Sequence, residues 1–135
     1  MARYLIDTDV LIDHLRGQKR ALEFLKKLAK EGSVSLYSVI GKAEIYSGIR
    51  PEEEETVALL FSNMEEIQVD GEVAELAGRY RRQFYASHGL LLPDALVAAS
   101  AKKFEAVLVT LNKRHFPMTD IALRVPYGKK SEREE

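Results

Sequence analysis

Five short runs rich in β-branched and other apolar residues punctuate the chain: "YLI" (4–6), "VSLY" (34–37), "EIQV" (66–69), "AVLVT" (106–110) and "IALRV" (121–125). The first four are separated by segments of helix length. Parallel strands need a crossover of a dozen residues or more, which a helix supplies, so this alternation predicts an α/β domain with a largely parallel sheet. With 135 residues, 46% of them hydrophobic, the chain suffices for one core. One domain over 1–126 is expected, followed by a charged, disordered tail over 127–135.

Helical spacing appears in "KRALEFLKKLAKE", where Ala21, Leu22, Leu25, Leu28 and Ala29 share a face that ends at Gly32. A short helix is expected from about Val10 to Leu15, and another from Ser38, its cap, to about Gly48. Pro51 and the glutamates behind it suit a helix start, with Val57, Leu60, Phe61 and Met64 as its apolar face. Val73, Leu76, Ala77, Tyr80 and Phe84 line a long helix, and Pro93 opens "DALVAASAKKF".

Ligands of such sheets gather outside the carboxyl ends of the strands, so the polar residues there matter most. Asp7 follows the first strand. Thr110 and Asn112 follow the fourth, where they can orient water or bind a metal weakly. Asp9 reads primarily as the cap of the first helix, leaving Asp7 free of that task. Glu44 lies mid-helix beside Gly41. An interior glycine costs about 1 kcal/mol relative to alanine, so Gly41 marks either room for a ligand beside Glu44 or close helix packing against a solvated glutamate. Asp94, after Pro93, gains from the helix dipole, yet its leucine- and alanine-rich surroundings leave a carboxylate with no nearby basic partner before Lys102. His115 reads as a packed or solvent-facing side chain.

Were Asp7, Glu44 and Asp94 to converge, mutual repulsion would raise their pKa values unless a cation neutralised them. Mg²⁺ or Mn²⁺ prefers such oxygen donors and retains waters able to attack a phosphodiester. The composition narrows the alternatives. Without cysteine, thiolate metal sites and thiol nucleophiles are excluded, and three histidines (His14, His88, His115) make a His-rich site a poor expectation. The start, "MARYLID", lacks the apolar stretch of a signal peptide, and no run is long enough to span a membrane. An intracellular domain is expected. Its net charge of −1 means that nucleic acid would have to be drawn by a local patch. Arg50, Arg79, Arg82, Lys113 and Arg114 are the candidate nucleic-acid contacts, the last two because they follow Asn112.

In order and spacing, "YLIDTDVLID", "SVIGKAEIYSGI", "LLPDALVAASA" and "VLVTLNKRHF" together resemble the PIN-domain ribonucleases, most closely the VapC-type toxins of prokaryotic toxin–antitoxin pairs. The resemblance covers Tyr4 to about Val125. It implies an α/β/α sandwich around a parallel sheet and Mg²⁺ or Mn²⁺ held by acidic residues, here Asp7, Glu44 and Asp94. It further implies cleavage of translation-related RNA in the cytoplasm, a homodimer and an inhibitory VapB-like antitoxin. Asn112 stands where many members carry a fourth aspartate, and Asp9 where asparagine or serine is common.

Three other readings share parts of the pattern. The D-x-D opening partly resembles haloacid-dehalogenase-like phosphatases, with Asp7 as nucleophile, although Leu11 is atypical. After Thr110 that reading finds Lys113 but only the isolated Asp120. A response-receiver domain would use Asp70 as phosphoacceptor, but "RVPYG" lacks its lysine. The third is a non-catalytic binding module.

Overall fold

Alternation along the strands sets the layers. In the computed structural model, which describes residues 2–128, Leu5, Leu36 and Leu108 point into one hydrophobic cluster, while their neighbours Ile6, Tyr37 and Val109 point into another. A sheet buried on both faces follows, as parallel sheets require. Its strands are β1 (Arg3–Ile6), β2 (Val34–Ser38), β3 (Glu65–Ile67), β4 (Val107–Val109) and β5 (Leu123–Arg124), in the order β3-β2-β1-β4-β5. All four pairings are parallel, with Leu5 opposite both Leu36 and Leu108.

The helices are α1 (Thr8–Leu15), α2 (Lys19–Lys30), α3 (Val39–Gly48), α4 (Glu54–Ser62), α5 (Gly71–His88) and α6 (Leu92–Lys103). Val10 and Leu11 of α1, Phe24 and Leu28 of α2, Ile45 of α3, and Val57 and Phe61 of α4 cover one face. Val73, Ala77 and Tyr80 of α5 and the alanines of α6 cover the other. Ala95, Ala98 and Ala99 are fully buried, and their small side chains let α6 lie close to the sheet. The expected α/β/α sandwich is therefore the fold observed.

Several boundaries differ from the sequence reading. Helix α1 starts at Thr8 rather than near Val10, because Asp7 and not Asp9 is its N-cap: Asp7 Oδ1 accepts from Thr8 N at 2.9 Å. Glu65–Ile67 forms β3, starting one residue earlier and ending two residues earlier than the expected 66–69, and "IALRV" contributes only Leu123 and Arg124. Pro51–Glu53 makes a 3₁₀ turn ahead of α4. Ser38 caps α3 as expected, accepting from Ile40 N at 3.0 Å. Tyr127, which begins the expected tail, donates to Asp13 Oδ2 at 2.8 Å, and the Arg20 guanidinium sits 5.0 Å from its ring centroid. Residues 129–135, most of the expected disordered tail, lie outside the described residues.

Candidate functional site

The chain winds from β1 through β2 to β3 in one direction, then returns to place β4 and β5 on the other side of β1. The reversal lies between β1 and β4, and a ligand crevice opens at such a switch point. Ile6 pairs with Val109, so the residues that leave these strands, Asp7 and Thr110, stand side by side. Asp7 N donates to Val109 O at 2.9 Å, and the buried Thr110 hydroxyl donates to Asp7 Oδ2 at 2.8 Å.

Asp9 sits in the first turn of α1 and reaches across to the segment after β4. Its Oδ2 accepts from Leu111 N at 3.0 Å and from Asn112 Nδ2 at 2.8 Å, while its Oδ1 accepts from Val10 N at 2.8 Å. Asn112 N donates to Thr110 Oγ1 at 3.0 Å. The capping role expected of Asp9 thus belongs to Asp7, and Asp9 ties α1 to the post-β4 segment. Helix geometry explains the exchange: with helical backbone already at Thr8, the residue before it must be the cap.

Burial, then the neighbouring Asp9 charge and more weakly Asp94, push the Asp7 carboxyl up to about 7, against opposing hydrogen bonds from Thr110 and Thr8 N–H. Asp94, in the first turn of α6, is also held above the ordinary carboxylate range by burial, partly offset by His115. His115 Nδ1 lies 3.5 Å from Asp94 Oδ2. The partner that the sequence reading found missing thus comes from the segment after β4. Glu44 is exposed on α3, and its Oε1 accepts from Thr8 Oγ1 at 3.0 Å. A Cβ on Gly41 would stand 3.0 Å from that same Thr8 hydroxyl, so the glycine admits the side chain that links α1 to Glu44.

Asp7, Asp9 and Asp94 share one electrostatic neighbourhood, and Glu44 joins it through Thr8. Among the described residues, no three acidic or histidine side chains already stand as a metal-holding group. The donors nevertheless suit a hard divalent cation. They are oxygens, and a carboxyl raised by burial and, next, by the like charges beside it is what an added positive charge would relieve.

A cleft of about 910 Å³ adjoins the acidic cluster, lined by His88, Leu111, Asn112, Lys113, Arg114, His115 and Pro117. Of the other candidate RNA contacts, Arg79 and Arg82 lie exposed on α5, Arg50 stands at the 3₁₀ turn, and none lines this cleft. Thr8, His88 and the pairing of His115 with Asp94 escaped the sequence reading, because each matters only through a contact between distant segments.

The rival sites are committed elsewhere. Asp70 caps α5, accepting from Val73 N at 3.0 Å and pairing with Lys103. Asp120 accepts from the Tyr80 hydroxyl at 2.9 Å.

A polar, acid-lined edge at the switch point of a parallel sheet defines an α/β domain whose ligand would sit at the ends of β1 and β4. The chain belongs to the PIN domain family, whose profile matches residues 4–121. It is 36% identical over 115 residues to Ribonuclease VapC19 of Mycobacterium tuberculosis, covering 84% of this chain and 92% of that protein. It is likewise 36% identical over 125 residues to Ribonuclease VapC10 of the same organism, covering 92% of each. Among solved structures, a toxin–antitoxin complex from Klebsiella pneumoniae matches with TM-score 0.74 and 25% identity, over 93% of this chain and 99% of that one. VapBC2 from Rickettsia felis, bound to a DNA fragment from its promoter, shares the fold with TM-score 0.76 at 22% identity, over 90% and 97% of the two chains.

Proposed function

We propose that the chain is a metal-dependent endoribonuclease and the toxin of a toxin–antitoxin pair, cutting translation-related RNA. The observation that carries this reading is the gathering of Asp7, Asp9 and Asp94 at the switch point, where burial first, and then the neighbouring carboxylates, push the Asp7 carboxyl up to about 7. Family membership and relatives named as ribonucleases support it.

Asp7, Asp94 and Glu44 would hold Mg²⁺ or Mn²⁺, which supplies charge stabilisation at the phosphate and a more acidic water. The rest falls to the chain's own residues. Thr110 fixes Asp7 from one side and the Thr8 N–H fixes it from the other, so its carboxylate is preset. Asp9 and Asn112 lock the segment that carries Lys113, Arg114 and His115 against α1. His115, which lines the cleft, pairs with Asp94 and so joins the cleft to the acidic cluster.

The proposed inhibitory partner is a VapB-like antitoxin, the chain itself acting as a homodimer. A small cavity between α1 and α3, lined by Ile12, Leu15, Ile45, Ile49 and Glu44 among others, suits a partly apolar segment. A basic side chain on it would replace the cation's charge with charge-assisted hydrogen bonds to Glu44 or Asp7. No helix among the described residues is long and apolar enough to cross a membrane. The cytoplasm is the proposed location.

The test is Asp94→Asn, which keeps the shape and removes the charge. Cleavage of RNA in Mg²⁺ or Mn²⁺ should fall by about a hundredfold or more, as for loss of a group that stabilises developing charge, with the circular dichroism spectrum unchanged. A variant that cuts RNA as fast as the wild type would overturn the assignment.

A further inference from the structure

The cleft beside Asp94 is opposite in character to the acidic cluster it adjoins. Its lining brings together Lys113, Arg114, His115 and His88 and, among the described residues, contains no carboxylate. Lys113 and Arg114 are exposed, and among the described residues neither forms an ion pair, so their charge is uncommitted. His88, the last residue of α5, comes from a different element. Its Nδ1 lies 2.8 Å from Ser87 Oγ and its ring meets Phe84 edge-on, at 6.0 Å between centroids. With Nδ1 engaged by Ser87, Nε2 is the nitrogen left for a ligand. Leu111 and Pro117 add apolar surface between the polar groups. The cleft is continuous with the acidic site through two shared residues: Asn112, bonded to Asp9, and His115, paired with Asp94.

We propose that this cleft seats the sugar–phosphate backbone of single-stranded RNA on one side of the bond to be cut, with Lys113, Arg114 and His88 on phosphate oxygens and Leu111 and Pro117 against a base. The proposal rests on the ribonuclease reading and names the surface that delivers the substrate. A polynucleotide fits this lining better than an acidic protein segment, because it offers regularly spaced anions together with flat apolar faces. The chain's net charge of −1 gives no general attraction for anions. Capture therefore falls to this local patch, which points the strand at Asp94. The volume, about 910 Å³, is near the upper end for small-ligand pockets and leaves room for more than one nucleotide.

The test measures binding of a fluorescein-labelled single-stranded RNA to the full chain by fluorescence anisotropy across a salt series, with chelator present to prevent cleavage. Lys113→Gln/Arg114→Gln should weaken binding about tenfold at low salt and reduce the slope of log K against log salt by about 1 to 2. His88→Gln should weaken it by about two- to fivefold, the scale of one hydrogen bond. Lys27→Gln/Lys30→Gln, at the end of α2 that leads into the start of β2, should change neither affinity nor slope. Wild-type binding with an unaltered slope in the Lys113/Arg114 variant would send the RNA elsewhere and overturn the cleft while leaving the ribonuclease reading intact. Absence of RNA binding by the wild type would overturn both. Variants that lose a glutamate-rich peptide but keep RNA would make the cleft a protein-docking site, and the proposal would fall.

Discussion

Asp9 accepts hydrogen bonds from its own helix and from two residues about a hundred positions away. The Thr110 hydroxyl has one proton and two acidic neighbours, Asp7 Oδ2 at 2.8 Å and Asp9 Oδ2 at 3.4 Å, so it serves Asp7. Asp9 is then held chiefly by Leu111 N and the Asn112 amide, a carboxylate facing a donor. Either single change, Asp9→Asn or Asn112→Asp, breaks that match, leaving two amides or two carboxylates opposed. Each should cost about 1–3 kcal/mol, as expected for a partly buried charge-assisted bond. Exchanging both residues restores one acceptor and one donor, so the double variant should recover about 1 kcal/mol or more relative to the sum of the singles. Urea denaturation measures all four proteins, and strict additivity would mean that the pair is not coupled.

Between elements, the approach of α1 to α3 is governed by Gly41. On helix propensity alone, Gly41→Ala should stabilise α3 by about 1 kcal/mol. The added Cβ, however, would stand 3.0 Å from Thr8 Oγ1, a hydroxyl already committed to Glu44. Gly41→Ala should therefore fail to stabilise the wild type, yet stabilise a Thr8→Ala background by about 1 kcal/mol. Thermal melts of the four proteins decide it. Equal gains in both backgrounds would show that the Thr8 side chain moves aside without cost. The sequence raised two explanations for this glycine, ligand room and close packing. The structure shows close packing, against a side chain that itself contacts Glu44.

At the scale of the whole molecule, Asp7 links stability to pH. Its folded-state carboxyl titrates at about 7 against an ordinary value of 3.8, so the folded state binds the proton more tightly than the unfolded chain. The group carries no penalty when the pH is below its ordinary value. Stability is then lost as pH rises from about 4 through about 7, and above that the ionised carboxylate costs roughly 2–4 kcal/mol in the absence of a divalent cation. Asp7→Asn can keep its oxygen as the cap acceptor for Thr8 N–H while its amide nitrogen donates to Thr110 Oγ1, so it should raise the melting temperature of the cation-free protein at about pH 8 and leave it unchanged below about pH 4. Mg²⁺ or Mn²⁺ at a hundredfold excess over its dissociation constant should add about 2.7 kcal/mol to the wild type and little to the variant. Parallel melting curves for the two proteins across that pH range would refute the raised carboxyl.

Local patterning determined much of this protein in advance. Apolar runs of strand length, helical spacing, the cap at Ser38 and a helix start within one residue of Pro93 lie within single segments, where backbone geometry and neighbouring residues decide the outcome. The acidic positions Asp7, Glu44 and Asp94 were legible because each breaks an apolar or small-residue context, and the four motifs in order carried the family. The pairings were not legible. Thr110 on Asp7, Asn112 on Asp9, Thr8 on Glu44 and His115 on Asp94 each join separate segments. The first two exist because the sheet order places β4 beside β1, and the others because α1 packs on α3 and the segment after β4 meets the start of α6; no periodicity within one segment encodes which other it will adjoin. The cap of α1 passed from Asp9 to Asp7 because the helix starts at Thr8, and Asp9, inside its first turn, finds hydrogen-bond donors across the switch point that only the folded chain brings within reach.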